Sequence, residues 1–596
     1  MASSSIVSSV DPRAEYERRR DDWRRREHEF ARREDRLSNV RLALFALGAG
    51  VVWWIFFHDA HIAWVFLPWI AFGVAVSFHL QARAAQERAG DLAGHYEAGL
   101  ARLDYRVEGD GHTDGAYSVV AHRYSAHLDL FGARSLFARL SFARTRSGRD
   151  TLAGWLLEPA DAATIRARHA AIDATRESLD LREDLASIDD EEAAAIDDEW
   201  RLAEWATAPV RNQPRALAAG LSVATVLALC GLKWLGAWPL LVVLCAQGAF
   251  AWSWRKRVHD IVEDARNPAR ELALAAHVLA RLEKETFHDG ILGDLHASWT
   301  PDEGAASERL AHFVALIDRH DWRANQMFAL IAPLVMWSTQ CAFALEAWRA
   351  RWGASVPAWL KSIGACEALL DLSRYGFENP DDTFPVLVDD AVFAAEGLAH
   401  PLLPPDQAIR NEFAVGAGTR LWIVTGSNMS GKSTLLRSVG VNAVLAMAGA
   451  PVRAHSLKIG PLAIGASIRT IDSLQEGASR FYAEVSAIQR VVQATDGGRT
   501  VLFLLDELLH GTNSHDRRVG AAGLLKGLLT RGAIGIVTTH DLALAQLEQE
   551  IGRHVGNAHF ECELRDAELH FDYRLQPGVV ESSNALELMR AVGLDV

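Results

Sequence analysis

Four stretches of this 596-residue chain are almost free of acidic and basic side chains, and they fall in two pairs. Leu42 to Phe57 and Ile62 to Leu80 are separated only by His-Asp-Ala-His, and Leu217 to Leu232 and Trp234 to Trp254 only by Lys233. Each stretch would make roughly 24 to 32 Å of helix at about 1.5 Å per residue, close to the ~30 Å of a bilayer's hydrocarbon core. The pattern predicts two transmembrane helical hairpins, 42–80 and 217–254. Trp53, Trp54, Trp64, Trp69, Trp234, Trp238, Trp252 and Trp254 lie at or near the ends, where amphipathic rings favour the headgroup layer. The competing reading is all-round apolar helices buried inside a large soluble domain.

Flanking charge sets the orientation. Arg36 and Arg41, Arg83 and Arg88, Arg211 and Arg215, and Arg255, Lys256 and Arg257 bracket the two pairs. Basic flanks stay on the cytoplasmic side, so the expectation is a multi-pass protein of the cell membrane with both termini and the inter-hairpin segment cytoplasmic. The first 40 residues are strongly charged and do not read as a cleavable leader.

Between Asp11 and Arg41, 11 arginines interleave with 9 acids, which predicts a solvated helix over 1–41 held by intrahelical pairs. Contact of these arginines with lipid headgroups or DNA phosphates is the alternative. Residues 83–215 and 258–375 carry apolar residues three and four apart and read as helical core segments. Within the second, 327–345 is apolar enough for a fifth span. Pro333, Gln340 and the helical flanks favour a buried helix instead, since an odd span would carry everything downstream across the membrane. Cys230, Cys245, Cys341, Cys366 and Cys562 form no Cys-x-x-Cys and read as buried small hydrophobes in a reducing compartment. The net charge of −15 confines any nucleic-acid contact to local basic faces.

From about 380 to 596 the texture changes to short β-branched runs alternating with helices, the pattern of an α/β domain. There Leu421–Thr425 reads as a strand running into Gly426, Ser427, Asn428, Met429, Ser430, Gly431, Lys432, Ser433 and Thr434, followed by an apolar helix. This is the strand, Gly-x-x-x-x-Gly-Lys-Ser, helix arrangement of a P-loop, whose backbone N–H groups face phosphate oxygens. It assigns Lys432 to the β- and γ-phosphates of ATP and the Ser433 hydroxyl to Mg²⁺. A second apolar strand, Val501 to Leu505, ends in Asp506 and Glu507; the first would support the Mg²⁺ shell and the second would act as general base toward water. A third, Gly-Ala-Ile-Gly-Ile-Val-Thr-Thr-His, ends in His540, a candidate for sensing the γ-phosphate or positioning water, or a satisfied loop residue.

Taken together, TGSNMSGKSTLLRSVGVNAVLAMAGAPVRA, DELLHGTNSHD and NALELMRAVGL resemble the ATPase domain of the MutS family of DNA mismatch-repair proteins, with Asn428 and Met429 as discriminating residues. The upstream DLFGARSLFARLSFARTRSGRDTLAGWLLEPAD resembles that family's helical core, and GLAHPLLP the strand leading into its ATPase domain. The resemblance covers roughly 125 to 596. It implies an ABC-type α/β P-loop domain following a mostly α-helical core, and a composite site in a homodimer. In that site Ser479, in SLQEGASRFYAEVSAI, would reach the nucleotide of a second subunit, and Asn513 to Asp516 would communicate between sites. His559 is a candidate for stacking on adenine, or a structural histidine.

The chain also departs from the family pattern. No Phe-x-Glu occurs in it, so the family's wedge and hydrogen-bonding acid for mispairs have no counterpart. A charged helix and an apolar hairpin stand where mismatch-reading domains would be. The expected function is therefore a membrane-anchored, dimeric, MutS-like ATPase that binds DNA. The rivals are a membrane-tethered scaffold or remodelling ATPase acting on a protein, and a transporter-type ATPase, which would need a polar pathway that these spans lack.

Overall fold

The computed structural model describes residues 10–58, 61–106, 117, 122–188, 202–210, 213–287, 289–300, 304–325, 328–427, 429–468, 480–509, 514–540, 544, 546, 548, 552, 554–565 and 568–579. The charged N-terminal sequence and the first apolar stretch form one unbroken helix, α1 (Pro12–His58). A single 3₁₀ turn at Ile62–Val65 returns the chain into α2 (Phe66–Leu103), which packs antiparallel along α1. At the apolar end the contact is aromatic: the rings of Phe45 and Trp69 lie 5.8 Å apart, and Gly48 leaves room for the Trp69 ring. At the other end it is ionic, with Arg24 paired to Glu97 at 2.7 Å.

Both helices are long and apolar enough to cross a membrane by length and composition, and in their most apolar windows only 6% and 11% of residues are buried. Phe56, Phe57, Phe66, Leu67 and Ile70 all face outward. The charged half of α1 is less solvated than its sequence implies. Glu15 pairs with Arg18 and Arg19 within the helix, yet Tyr16 is buried against Tyr96 and Phe377.

The helical core follows as α3 (Leu136–Leu140), α4 (Arg146–Leu157), α5 (Ala162–Thr175), α6 (Leu179–Ala186) and α7 (Leu202–Thr207). Three of these starts carry side-chain caps, where Ser135, Thr145 and Asp161 accept from the N–H of Ala138, Gly148 and Thr164, satisfying donors that a helix start leaves open. The second apolar pair is α8 (Arg215–Cys230), the short α9 (Leu232–Leu235) and α10 (Trp238–Leu282). The expected boundary between 217–254 and 258–375 falls inside α10, one 45-residue helix. Its N-terminal half exposes Trp238, Leu241, Val242 and Trp252, and its C-terminal half is buried in the core. Cys230 and Cys245 are exposed on this pair, contrary to the expectation of burial, whereas Cys341 and Cys366 are buried.

The core closes with α11 (Gly290–Trp299), α12 (Ala306–Asp321), α13 (Trp337–Trp352) and α14 (Val356–Glu378). The 327–345 segment is not one helix. Phe328–Leu330 is a 3₁₀ turn, 331–336 is a run of turns, and Met336 sits at φ 50°, a left-handed conformation that breaks the path before α13. Pro333 lacks the N–H that a helix would need there.

Two sheets follow. The smaller has β1 (Val386–Leu387), β2 (Phe393–Leu398), β3 (Asn411–Val415) and β5 (Ser456–Ile459) in the order β1-β5-β2-β3. Between β3 and β5 run β4 (Leu421–Thr425) and α15 (Lys432–Ala448). Then come β6 (Leu462–Ser467), α16 (Arg480–Ala494), β7 (Thr500–Leu505), α17 (Ser514–Thr530), β8 (Ile534–Thr539), β9 (Val555–Arg565) and β10 (Glu568–Pro577). The six-stranded sheet runs β10-β9-β4-β8-β7-β6, parallel except for the β10 edge. Its central strands are buried on both faces and accordingly continuous in apolar residues.

One hydrophobic core runs from Leu128 and Phe137 through α14 to Val439 and Leu504, so sheet and helical core are packed as one body. Leu128 sits against Gly440, where any side chain would collide with it. Arg437 pairs with Asp129 at 3.1 Å beside that contact.

Candidate functional site

β4 delivers the chain to Gly426 at φ 150°, and α15 starts after Gly431 at φ 105°, both in the region where a Cβ is strained. A Cβ on Gly426 would also lie 2.8 Å from Ser430 Oγ. The loop curls around the Lys432 ammonium, which donates to the carbonyl oxygens of Gly426 at 2.8 Å and Ser427 at 2.7 Å. Burial of Lys432 pulls its pKa below the ordinary lysine value, against the attraction of Glu507 and Asp506. The first N–H groups of α15 have no partner within the helix, which makes its start a site for anions. Ser430 Oγ is buried with no hydrogen-bond partner among the described residues, as expected of a cradle built for a ligand's oxygens. Met429 projects outward and is 85% exposed.

The paired acids reach this loop because β8 alone separates β7 from β4. Asp506 Oδ2 accepts from Ser433 Oγ at 2.5 Å, and Oδ1 accepts from the Thr538 hydroxyl at the end of β8. Thr538 Oγ1 accepts in turn from the Glu507 N–H at 3.2 Å. Glu507 adopts φ 46°, a costly conformation for a residue with a side chain, and its carboxylate lies 3.5 Å from His540 Nδ1. The loop is tied from the other side, since the Leu509 N–H donates to Glu484 on α16.

Lys432, Ser433 and Glu507 line a cavity of about 600 Å³, together with Ile409, Phe560 and Tyr573. Thr434 lines it as well, whereas His559 does not. The His559 ring is buried beside the Gly578 carbonyl, 3.1 Å from Nδ1, and Glu561, 3.4 Å from Nε2. Asn428, Ser479 and Asn513 lie outside the described residues.

Thr538, Glu484 and Tyr573 are residues that motif reading passed over. Thr538 could have been found in the Thr-Thr-His at the end of β8. Tyr573 could not, because it reaches the loop through a register shift in the β9–β10 hairpin and its own φ of 53°. Its ring would stand 3.2 Å from a Cβ on Gly431.

A parallel α/β sheet with a glycine-rich loop at one strand end, and two acids at another a single strand away, places ligands at the carboxyl edge of the sheet. Residues 422–595 match the family model described as MutS domain V, so this C-terminal stretch of the chain is similar to that domain. It is 29% identical over 240 residues to a DNA mismatch repair protein MutS of Methanosarcina mazei, covering 39% of this chain and 26% of that one. It is 31% identical to the MutS of Streptococcus uberis, covering 39% and 28%. With an endonuclease MutS2 of Thermus thermophilus it shares 34% identity, covering 33% and 25%. The matched part of the chain spans about a quarter of the length of these curated relatives.

Proposed function

We propose that the protein is a membrane-anchored ATPase whose Gly426–Thr434 loop is a P-loop, hydrolysing ATP to ADP and phosphate and using that cycle to drive a DNA-binding activity. The observation that carries this reading is the convergence of Lys432, Ser433 and Glu507 on one cavity, with Asp506 hydrogen-bonded to Ser433 at its edge. Lys432 and the N–H groups of α15 neutralise phosphate charge. Ser433 and Asp506 would hold Mg²⁺, which when bound supplies further neutralisation at the phosphates. Glu507 accepts the proton of the attacking water, whose oxygen bonds to the γ-phosphorus as the bond to the ADP oxygen breaks. His540 orients Glu507. In a homodimer Ser479 of a second copy would complete the site, and Asn513 would take part in communication between the two sites.

Membrane anchoring is supported by the exposed apolar faces of α1, α2, α8 and α10. On this reading the hairpins lie in the cell membrane and the ATPase domain in the cytoplasm. DNA as ligand is supported by the names of the mismatch-repair relatives. The missing Phe-x-Glu and the net charge of −15 favour a second reading, a tethered remodelling ATPase acting on a protein.

Hydrolysis by the purified protein with Mg²⁺ tests the core of the proposal, with turnover expected from the wild type and lost in Lys432→Ala. A salt titration of binding to duplex, mismatched and branched DNA separates the two readings. Affinity falling steeply with salt supports DNA, and equal weak binding to all three supports the protein partner.

A further inference from the structure

The turns before α13 and the apolar half of α10 enclose a second cavity, of about 680 Å³, within the range of sites that hold a small molecule. Leu244, Gly248 and Ala251 line it from α10, and Ala332 and Leu334 from the turns. The α10 residues are four and three apart and so share one helix face. A Cβ on Gly248 would meet nothing within 4 Å, so the helix is cut away where the cavity is. Arg323 lines the same space. Continuing the α10 face by four residues from Ala251 reaches Arg255, whose guanidinium lies 3.9 Å from the centre of the Trp252 ring.

The surroundings are those of a bilayer boundary. Trp252 and Trp322 are exposed near Arg255 and Arg323, while Leu241, Val242, Leu330 and Ile331 expose apolar surface. The irregular backbone is satisfied by side chains: Gln247 Nε2 donates to the Leu334 carbonyl at 3.2 Å, and Ser222 Oγ to that of Val335 at 2.9 Å. Non-helical backbone is tolerated at membrane depth where protein satisfies it in this way. Asp321, two residues from Arg323, is engaged with Arg266 at 2.9 Å.

We propose that this cavity is a binding site for an anionic phospholipid, with one acyl chain against Gly248 and the headgroup phosphate against Arg323. Charge decides between lipids: a basic residue near an anionic surface contributes about 1 kcal/mol, roughly fivefold in occupancy. The proposal rests on the membrane reading above and names the lipid that the anchor selects.

The test uses the full chain reconstituted in vesicles that carry a photoactivatable phosphatidylglycerol, or a phosphatidylcholine with the same labelled chain. In the wild type, cross-links are expected in the peptides spanning 244–251 and 329–339, about fivefold stronger with phosphatidylglycerol. Gly248→Leu fills the cavity and should lower labelling of those peptides with both lipids. Arg323→Gln, at an exposed position, should bring phosphatidylglycerol down to the phosphatidylcholine level. Equal labelling by both lipids in the wild type, or labelling unchanged by Gly248→Leu, overturns the proposal. Flotation of the same samples separates the two readings. Protein that floats but is unlabelled at the cavity refutes the lipid site alone, and wild-type protein that does not float refutes the membrane reading and the site with it.

Discussion

The Ser433 hydroxyl donates to Asp506 Oδ2 at 2.5 Å, across 73 residues of sequence. Ser433 lies in the first turn of α15 and Asp506 just beyond the end of β7, and the hydroxyl and carboxylate together form an oxygen pair suited to a hard divalent cation. Asp506→Asn keeps the shape and removes the charge. The expected result is ATP affinity that no longer responds to Mg²⁺, while Mg²⁺-free affinity stays within a few-fold of wild type, as read by titration of a fluorescent ATP analogue with and without the ion.

A second pairing ties α2 to α14, the helix that leads into the C-terminal α/β domain. Arg102 Nη2 donates to Glu378 Oε1 at 2.8 Å, with Tyr16 OH on the same oxygen at 3.2 Å and everything buried. Glu378→Gln leaves Arg102 and Arg374 buried without their counter-charge and should destabilise the fold by about 3–5 kcal/mol, seen as an earlier midpoint in urea unfolding followed by circular dichroism.

The same carboxylate makes stability depend on acid. Burial alone would raise its pKa, but Arg102 and Arg374 outweigh that and hold it at about 2, against an ordinary 4.5. Its contribution is therefore complete above about pH 4.5 and is lost as pH falls through about 2. Glu378→Gln should flatten this part of the acid-unfolding curve, and a wild-type curve superimposable on the variant's would contradict the assignment.

Ile70 tests the anchor. It is exposed in the apolar half of α2, so Ile70→Arg in a water-facing helix would change stability by no more than about 0.5 kcal/mol. At the centre of a span the arginine costs about 2.5–3.5 kcal/mol. The expected outcome is a clear fall in the carbonate-resistant membrane fraction with the purified ATPase activity unchanged.

The loop and the acids were legible in sequence because their chemistry is local: two glycines, a lysine and a serine at fixed spacing, and two carboxylates after an apolar run. What joined them was not. Thr538 becomes the bridge between Asp506 and Glu507 only because β8 lies between β4 and β7, an order set by long-range pairing. Arg102 and Glu378 are 276 residues apart, beyond any local pattern. The 327–345 segment misled for a related reason: apolar composition shows that residues avoid water, but not that Pro333 and a left-handed Met336 break the helix. Cys230 and Cys245 misled likewise, since an apolar stretch can face outward on a hairpin as readily as inward.

Glu507 carries the central claim, that ATP is hydrolysed by a water activated beside the glycine-rich loop. The decisive measurement pairs ATP affinity with single-turnover hydrolysis in Glu507→Gln, which preserves the side chain's size and removes its basicity. Affinity within about threefold of wild type, with hydrolysis slowed by 10²- to 10⁴-fold, is the predicted result. Hydrolysis within tenfold of wild type would contradict it.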